Sequence, residues 1–208
     1  MAETSSDKQE AILKTALRLF VERGFFSTPT SLISKEAGVA TGTLFFYFKT
    51  KEDLIDTIYL RVKAEAAEEM CRGLAEEPDA RAKLNRLGRN AIAWGTTRPD
   101  EVKFMEQFAH TPFISKSAQE EGMSRFFFLK DLILEGKSEG LICDSDPEIL
   151  IFMMASAFAG LIGRIGMAAS EDEREQLIEE GLDFVWNGLA AKNRENPPVQ
   201  KQKNTRKM

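Results

Sequence analysis

Thr30, Ser31, Thr41, Gly42 and Thr43 lie in two clusters ten residues apart, and Tyr47, Lys49, Thr50 and Lys51 follow closely. None is a strong acid–base pair or an activated nucleophile. Hydroxyls and ammonium groups at this density suit hydrogen bonds to base edges and phosphate oxygens. Thr hydroxyls bond several base edges, Thr methyls meet thymine methyls, and Gly42 permits close backbone approach. Lys51 is expected to place a full charge on a phosphate at the start of a helix, whose free amides add to the pull.

The segments that position these groups are short and helical. Thr28-Pro29 reads as an N-cap followed by proline at the first helical position, opening a helix that runs to about Ala37. Gly38 supplies the turn and Val39 points inward. A second short helix spans about Thr41 to Phe46, with Leu44 and Phe48 inward and Phe45 and Phe46 expected to pack rather than touch a ligand. Thr50-x-x-Asp53 is a capping box for a long helix carrying Leu54, Ile58, Val62 and Ala66 on one side. Ahead of all this, a helix with Ser6 and Gln9 as a capping pair presents Ile12, Ala16, Leu19 and Phe20, and ends at Gly24. This is the layout of a helix-turn-helix whose second helix enters the major groove of DNA.

Thr30, Ile33, Ala37-Gly38-Val39, Gly42-Thr43-Leu44, Tyr47-Phe48, Lys51-Glu52 and Leu54 together resemble the tetracycline-repressor (TetR) family of bacterial transcription factors, over roughly residues 8 to 55. Three positions depart from the family pattern. Phe45 stands where tyrosine is usual, Ala40 where a capping serine is common, and Ser34 where alanine is usual. The resemblance implies a homodimer on a palindromic double-stranded operator. It also implies repression relieved by a small molecule, with the fourth helix as the lever between head and body.

The rest of the chain keeps a 3.6-residue period, with no convincing strand alternation. Helices are expected near 79–96, 100–110, 116–139, 147–168 and 171–192, the last opened by Ser170-x-x-Glu173. The total is about nine helices in an all-α fold. The expected division is a DNA-binding domain over 6–54, a connecting helix over 55–77, a ligand-binding and dimerisation domain over 78–193, and a basic disordered tail over 194–208.

Trp94, Phe104, Phe108, Met123, Phe127, Met154 and Phe158 are expected to line a pocket for a hydrophobic effector, since methionine and aromatic rings adapt to varied apolar shapes. Ala155, Ala159 and Gly163, with Ile178, Leu182, Val185, Trp186 and Leu189, are expected to form a four-helix dimer seam. The alternative is a DNA-binding helical dimer governed by a protein partner and taking no small ligand. A pocket that stays small and filled would favour it.

Composition narrows the rest. The net charge is −5, with nine Lys/Arg against eight Asp/Glu up to Lys63 and 19 against 25 beyond it. Any attraction to nucleic acid is therefore local to the N-terminal part. Two separated cysteines, Cys71 and Cys143, and the single His110 offer no metal or cofactor cluster. No nucleophile elbow, P-loop, dinucleotide fingerprint or zinc-protease motif is present, so catalysis is not expected. The polar N-terminus is no signal peptide. The uncharged run 149–163 is shorter than the roughly 20 residues of a bilayer span. A cytoplasmic protein is the expectation.

Overall fold

Left-handed glycines and capped helix starts divide the chain into short, sharply bounded helices. The computed structural model of the protein describes residues 5–191. Among them are ten α-helices: α1 (Ser5–Arg23), α2 (Thr30–Glu36), α3 (Thr41–Tyr47), α4 (Lys51–Cys71), α5 (Ala80–Thr97), α6 (Pro99–Phe108), α7 (Lys116–Ser124), α8 (Phe128–Ser138), α9 (Pro147–Ile165) and α10 (Glu171–Leu189). A 3-10 turn, Leu74–Glu76, follows α4. No strand is present among the described residues, only an isolated antiparallel bridge between Ile142 and Ala190. The basic tail expected over 194–208 lies outside the described residues.

The expected single helix over 116–139 is two helices, α7 and α8, because the chain turns through Arg125-Phe126-Phe127. Ser6 lies inside α1 rather than capping it. Thr28 does not cap α2 either. Its buried hydroxyl donates to Leu19 O at 3.1 Å and Gly24 O at 2.8 Å, closing the end of α1, and Pro29 takes the N-cap position. Thr50 and Asp53 form the full reciprocal capping box on α4. Ser170 caps α10 through Glu173 N, while the Glu173 carboxylate accepts from Ala169 N and not from Ser170.

Gly38 has φ of 70°, a conformation strained for other residues. Its N–H donates to Lys35 O and the next amide, of Val39, to Ser34 O, a two-bond C-terminal cap that turns the chain from α2 into α3.

Two apolar cores hold the molecule, and they do not follow the division expected from sequence. The first joins α1–α4 to α6 and the start of α7, through Ile12, Leu19, Phe20, Phe25, Leu44, Leu54 and Tyr59 with Phe104, Phe108, Ile114 and Ala118. The second packs α5, α8, α9 and α10 through Leu84, Leu87, Ile133, Met154, Phe158, Leu182 and Leu189. The N-terminal helices therefore share their core with the middle of the chain. Phe25 stacks on Phe113 with centroids 4.4 Å apart, and Asp56 of α4 accepts Ser115 N at 2.9 Å.

Candidate nucleic-acid interface

α3 stands on α1 and α2 with Leu44 and Phe48 buried beneath it. Its opposite side carries Thr41 and Gly42, both exposed, with Thr43 half-buried between the two sides. A Cβ on Gly42 would meet nothing within 4 Å, so the fold itself does not require glycine there. Ser31 is exposed at the start of α2 and Thr30 is half-buried beside it. A chain of hydrogen bonds through Ser34 joins Ser31 of α2 to Thr41 of α3.

Ser34 is buried and sets the state of Thr41. Ser34 Oγ donates to Ser31 O at 3.1 Å and lies 3.0 Å from Thr41 Oγ1. With the Ser34 proton committed, Thr41 donates to Ser34 and presents acceptor lone pairs outward. In the sequence Ser34 stood out only as a departure from the usual alanine, with no sign of this link.

The second predicted cluster is arranged differently from expectation. Lys51 is half-buried, and its ammonium donates to Phe25 O and sits 4.2 Å from the Phe25 ring centroid. Burial pushes its pKa down. The side chain clamps the end of α1 rather than reaching for a phosphate. The amide of Thr50 is taken by Asp53, and Glu52 and Asp53 put two carboxylates in the first turn of α4. That turn is a poor phosphate cradle, because the carboxylates oppose a second anion. Lys49 remains exposed, as does Lys35 of α2.

Tyr47 is also engaged: its hydroxyl donates to Ser5 O at 2.7 Å and lies 2.6 Å from Ser5 Oγ. It ties the end of α3 to the start of α1. Phe45 and Phe46 correct a further expectation. Both are exposed, Phe46 by 71%, because Leu44 and Phe48 already fill the inward positions of a seven-residue helix. Replacing Lys51 with alanine should lower stability by about 1–2 kcal/mol through the lost charged hydrogen bond. The denaturant midpoint checks this. The salt slope of DNA binding should stay unchanged, where an extended phosphate-bound lysine would contribute about 1.

The profile of the tetR family of bacterial regulatory proteins matches residues 12–58, covering α1 to the first turns of α4. Over those residues the chain matches the TetR family. The HTH-type transcriptional regulator YhgD of Bacillus subtilis is 26% identical over 160 residues, covering 76% of this chain and 84% of that protein. The crystal structure of a TetR-family transcription regulator from Shewanella sp. PV-4 superposes with a TM-score of 0.81 at 28% identity, covering 89% of this chain and 99% of that one. The regulator FadR from Bacillus subtilis, solved in complex with stearoyl-CoA, shares the fold at a TM-score of 0.72 and 20% identity, over 86% of this chain and 98% of that one. The relatives are transcriptional regulators, a class without catalytic activity.

The expected effector-pocket residues do not converge. Phe104 and Phe108 are buried in the first core, with Trp94 packed against it, while Met154 and Phe158 belong to the second. Met123 and Phe127 are exposed, Phe127 by 69%, at the break between α7 and α8. Glycines let the second core close tightly. A Cβ on Gly88 would lie 2.5 Å from Leu182 Cδ2 and 2.7 Å from Phe158 Cζ. The cleft beside Phe158, Leu182 and Trp186 holds about 40 Å³, and a more open apolar one at Ile92, Ile165 and Ile178 about 320 Å³. Trp94 Nε1 is the one buried side-chain polar atom without a hydrogen-bond partner among the described residues.

The expected dimer seam is half corrected. Ala155, Ala159 and Gly163 of α9 are exposed. Leu182, Val185 and Leu189 of α10 are instead buried in the chain's own second core, with Ile178 and Trp186 packed against it. Both sides of α10 carry large apolar residues, so periodicity alone did not say which faces inward. The exposed apolar residue there is Phe184. On α9 the exposed stripe runs through Ile149, Phe152, Met153, Gly160, Gly163 and on to Met167. By length and composition α9 could cross a membrane, and here it packs on α5, α8 and α10.

Proposed function

We propose that the protein is a homodimeric, cytoplasmic repressor that reads a palindromic operator with α3 and is released by a hydrophobic small molecule. The observation that carries the DNA-reading part is the outward side of α3. It offers Thr41, Gly42 and Thr43 on a helix whose other side is fully occupied by the core. Gly42, unneeded by the fold, suits close approach to a duplex. Thr41, held as an acceptor by Ser34, suits an adenine or cytosine amino group. Phe45 and Phe46 suit thymine methyls and sugar edges.

Dimerisation is supported by the uncovered apolar stripe of α9 with Phe184 beside it. Exposed apolar surface on this scale marks a contact site. Glycines at 160, 163 and 188 leave room for a second helix pair, since a Cβ on any of them would meet nothing. Two heads on one twofold axis read a palindrome.

The small-molecule part rests on family relatives, among them one solved with stearoyl-CoA. A second reading has its own support: the filled second core favours control by a protein partner with no ligand.

Selection of bound sequences from a random DNA pool, with and without hydrophobic compounds, tests the proposal. The expected result is an enriched palindrome, lost in the presence of an effector. Thr43→Ala should then cost about 1–3 kcal/mol at one base position and relax specificity there. No enrichment from any duplex at low salt would end the DNA-reading part. A palindrome insensitive to every compound would favour the protein-partner reading.

A further inference from the structure

α4 carries a second lysine whose setting differs from that of every ion-paired cation on the surface. Lys63 is half-buried where α4 meets α7 and the α7–α8 break. Its Nζ lies 4.8 Å from the Phe126 ring centroid and 5.8 Å from that of Tyr59. Its one hydrogen-bond acceptor is the Met123 thioether, at 3.9 Å. No carboxylate reaches it among the described residues, and burial pushes its pKa down. Tyr59, one turn earlier, is buried beside it. Trp94, packed against the same core, holds the unpartnered buried indole N–H. The Lys63 ammonium thus faces only a thioether and aromatic rings.

Apolar surface lies next to the donors. Met123 is 53% exposed, Phe127 is exposed, and Phe126 is half-buried. Met123 is the movable member: a flexible thioether that leaves Lys63 uncovers the ammonium. α4 lies close to the backbone of α7 at Gly122, where a Cβ would fall 2.5 Å from Tyr59 Cε1.

We propose that Lys63 is the anchor for the anionic head group of an amphiphile, a carboxylate or a phosphate, whose apolar chain lies over Met123, Phe126 and Phe127. The proposal rests on the ligand-responsive reading above and names the ligand's chemistry and its seat. A carboxylate at Lys63 forms a charged hydrogen bond shielded by aromatic rings, stronger than the same bond in open water. The site is open at the surface, so it does not need the second core to empty. Because Lys63 lies on α4, two turns beyond Asp56, the bound anion bears on the helix that carries the DNA-reading head.

Calorimetric titration of the full-length protein with dodecanoate, dodecyl phosphate and dodecanol, each below its aggregation concentration, provides the test. The unaltered chain should bind at least one anion about tenfold more tightly than the alcohol, and the stronger arm names the head group. Lys63→Met should remove that preference while leaving dodecanol binding in place, and Lys63→Arg should restore it. Lys63→Met deletes an unpaired, desolvated charge and is expected to fold. Equal affinity for anion and alcohol overturns the proposal. So does an anion preference that survives Lys63→Met, or no anion binding by protein that still binds its selected operator. Anion binding through Lys63 by protein that enriches no DNA would sustain the site and remove the regulator reading instead.

Discussion

A chain carrying Phe152→Asp and Gly163→Arg is expected to sediment as a monomer at micromolar concentration and to bind its operator about a hundredfold more weakly. Phe152 is 69% exposed on α9, and a Cβ on Gly163 meets nothing, so neither change disturbs the second core. Both place charge on the stripe proposed to face the second copy. A desolvated, unpaired charge at such a seam costs several kcal/mol per subunit. Helical content by circular dichroism should match the unaltered chain. The affinity loss follows from separating two half-site readers, since the second head no longer binds as part of the same particle. A double variant that stays dimeric would place the seam elsewhere than α9.

The second large effect concerns the shared core. Phe104→Ala should cost about 3–5 kcal/mol, a large part of the stability of a single domain. Phe104 is fully buried on α6, 5.1 Å from the Phe108 ring centroid, and Phe108 lies 6.2 Å from Phe20 of α1. The aromatic line continues through Phe25 to Phe113. The loss should therefore be felt in the N-terminal helices although the substitution lies in α6. Hydrogen exchange should show the amides of α1 and α4 losing protection together with those of α6. If only α6 loses protection, the two parts fold separately. A fragment ending before α5 is expected to be poorly folded for the same reason, since it would leave Phe20, Phe25 and Tyr59 uncovered.

Local signals in the sequence reported local structure well. The capping box at Thr50 and Asp53, the turn at Gly38 and the inward positions Leu44 and Phe48 were legible because each depends on residues within one or two turns. Thr28 was misread because its partners, Leu19 and Gly24, lie behind it in the chain while the N-cap pattern looks only forward. Lys51 was misread for a related reason: its acceptor, the Phe25 carbonyl, is 26 residues away. On α10, apolar residues occur on two sides of the helix, and only packing decides that Leu182, Val185 and Leu189 face inward while Phe184 does not. The aromatic and methionine content of the middle helices was real, but it is split between two cores and a surface. Composition carries no information on that split.

The same distance problem explains why Lys63 had no sequence signal. A lysine on an amphipathic helix reads as solvated, and its setting is made by Phe126 and Met123, about sixty residues later.

The bond between Tyr47 and Ser5 has a practical corollary for anyone handling this protein. It brings the first described residue alongside the end of α3. A purification handle or fluorescent protein fused ahead of Ser5 would emerge next to the surface that meets the duplex, and is expected to interfere there. By the same token, a small dye on a Ser5→Cys variant would report the arrival of DNA directly, without touching the residues proposed to read it.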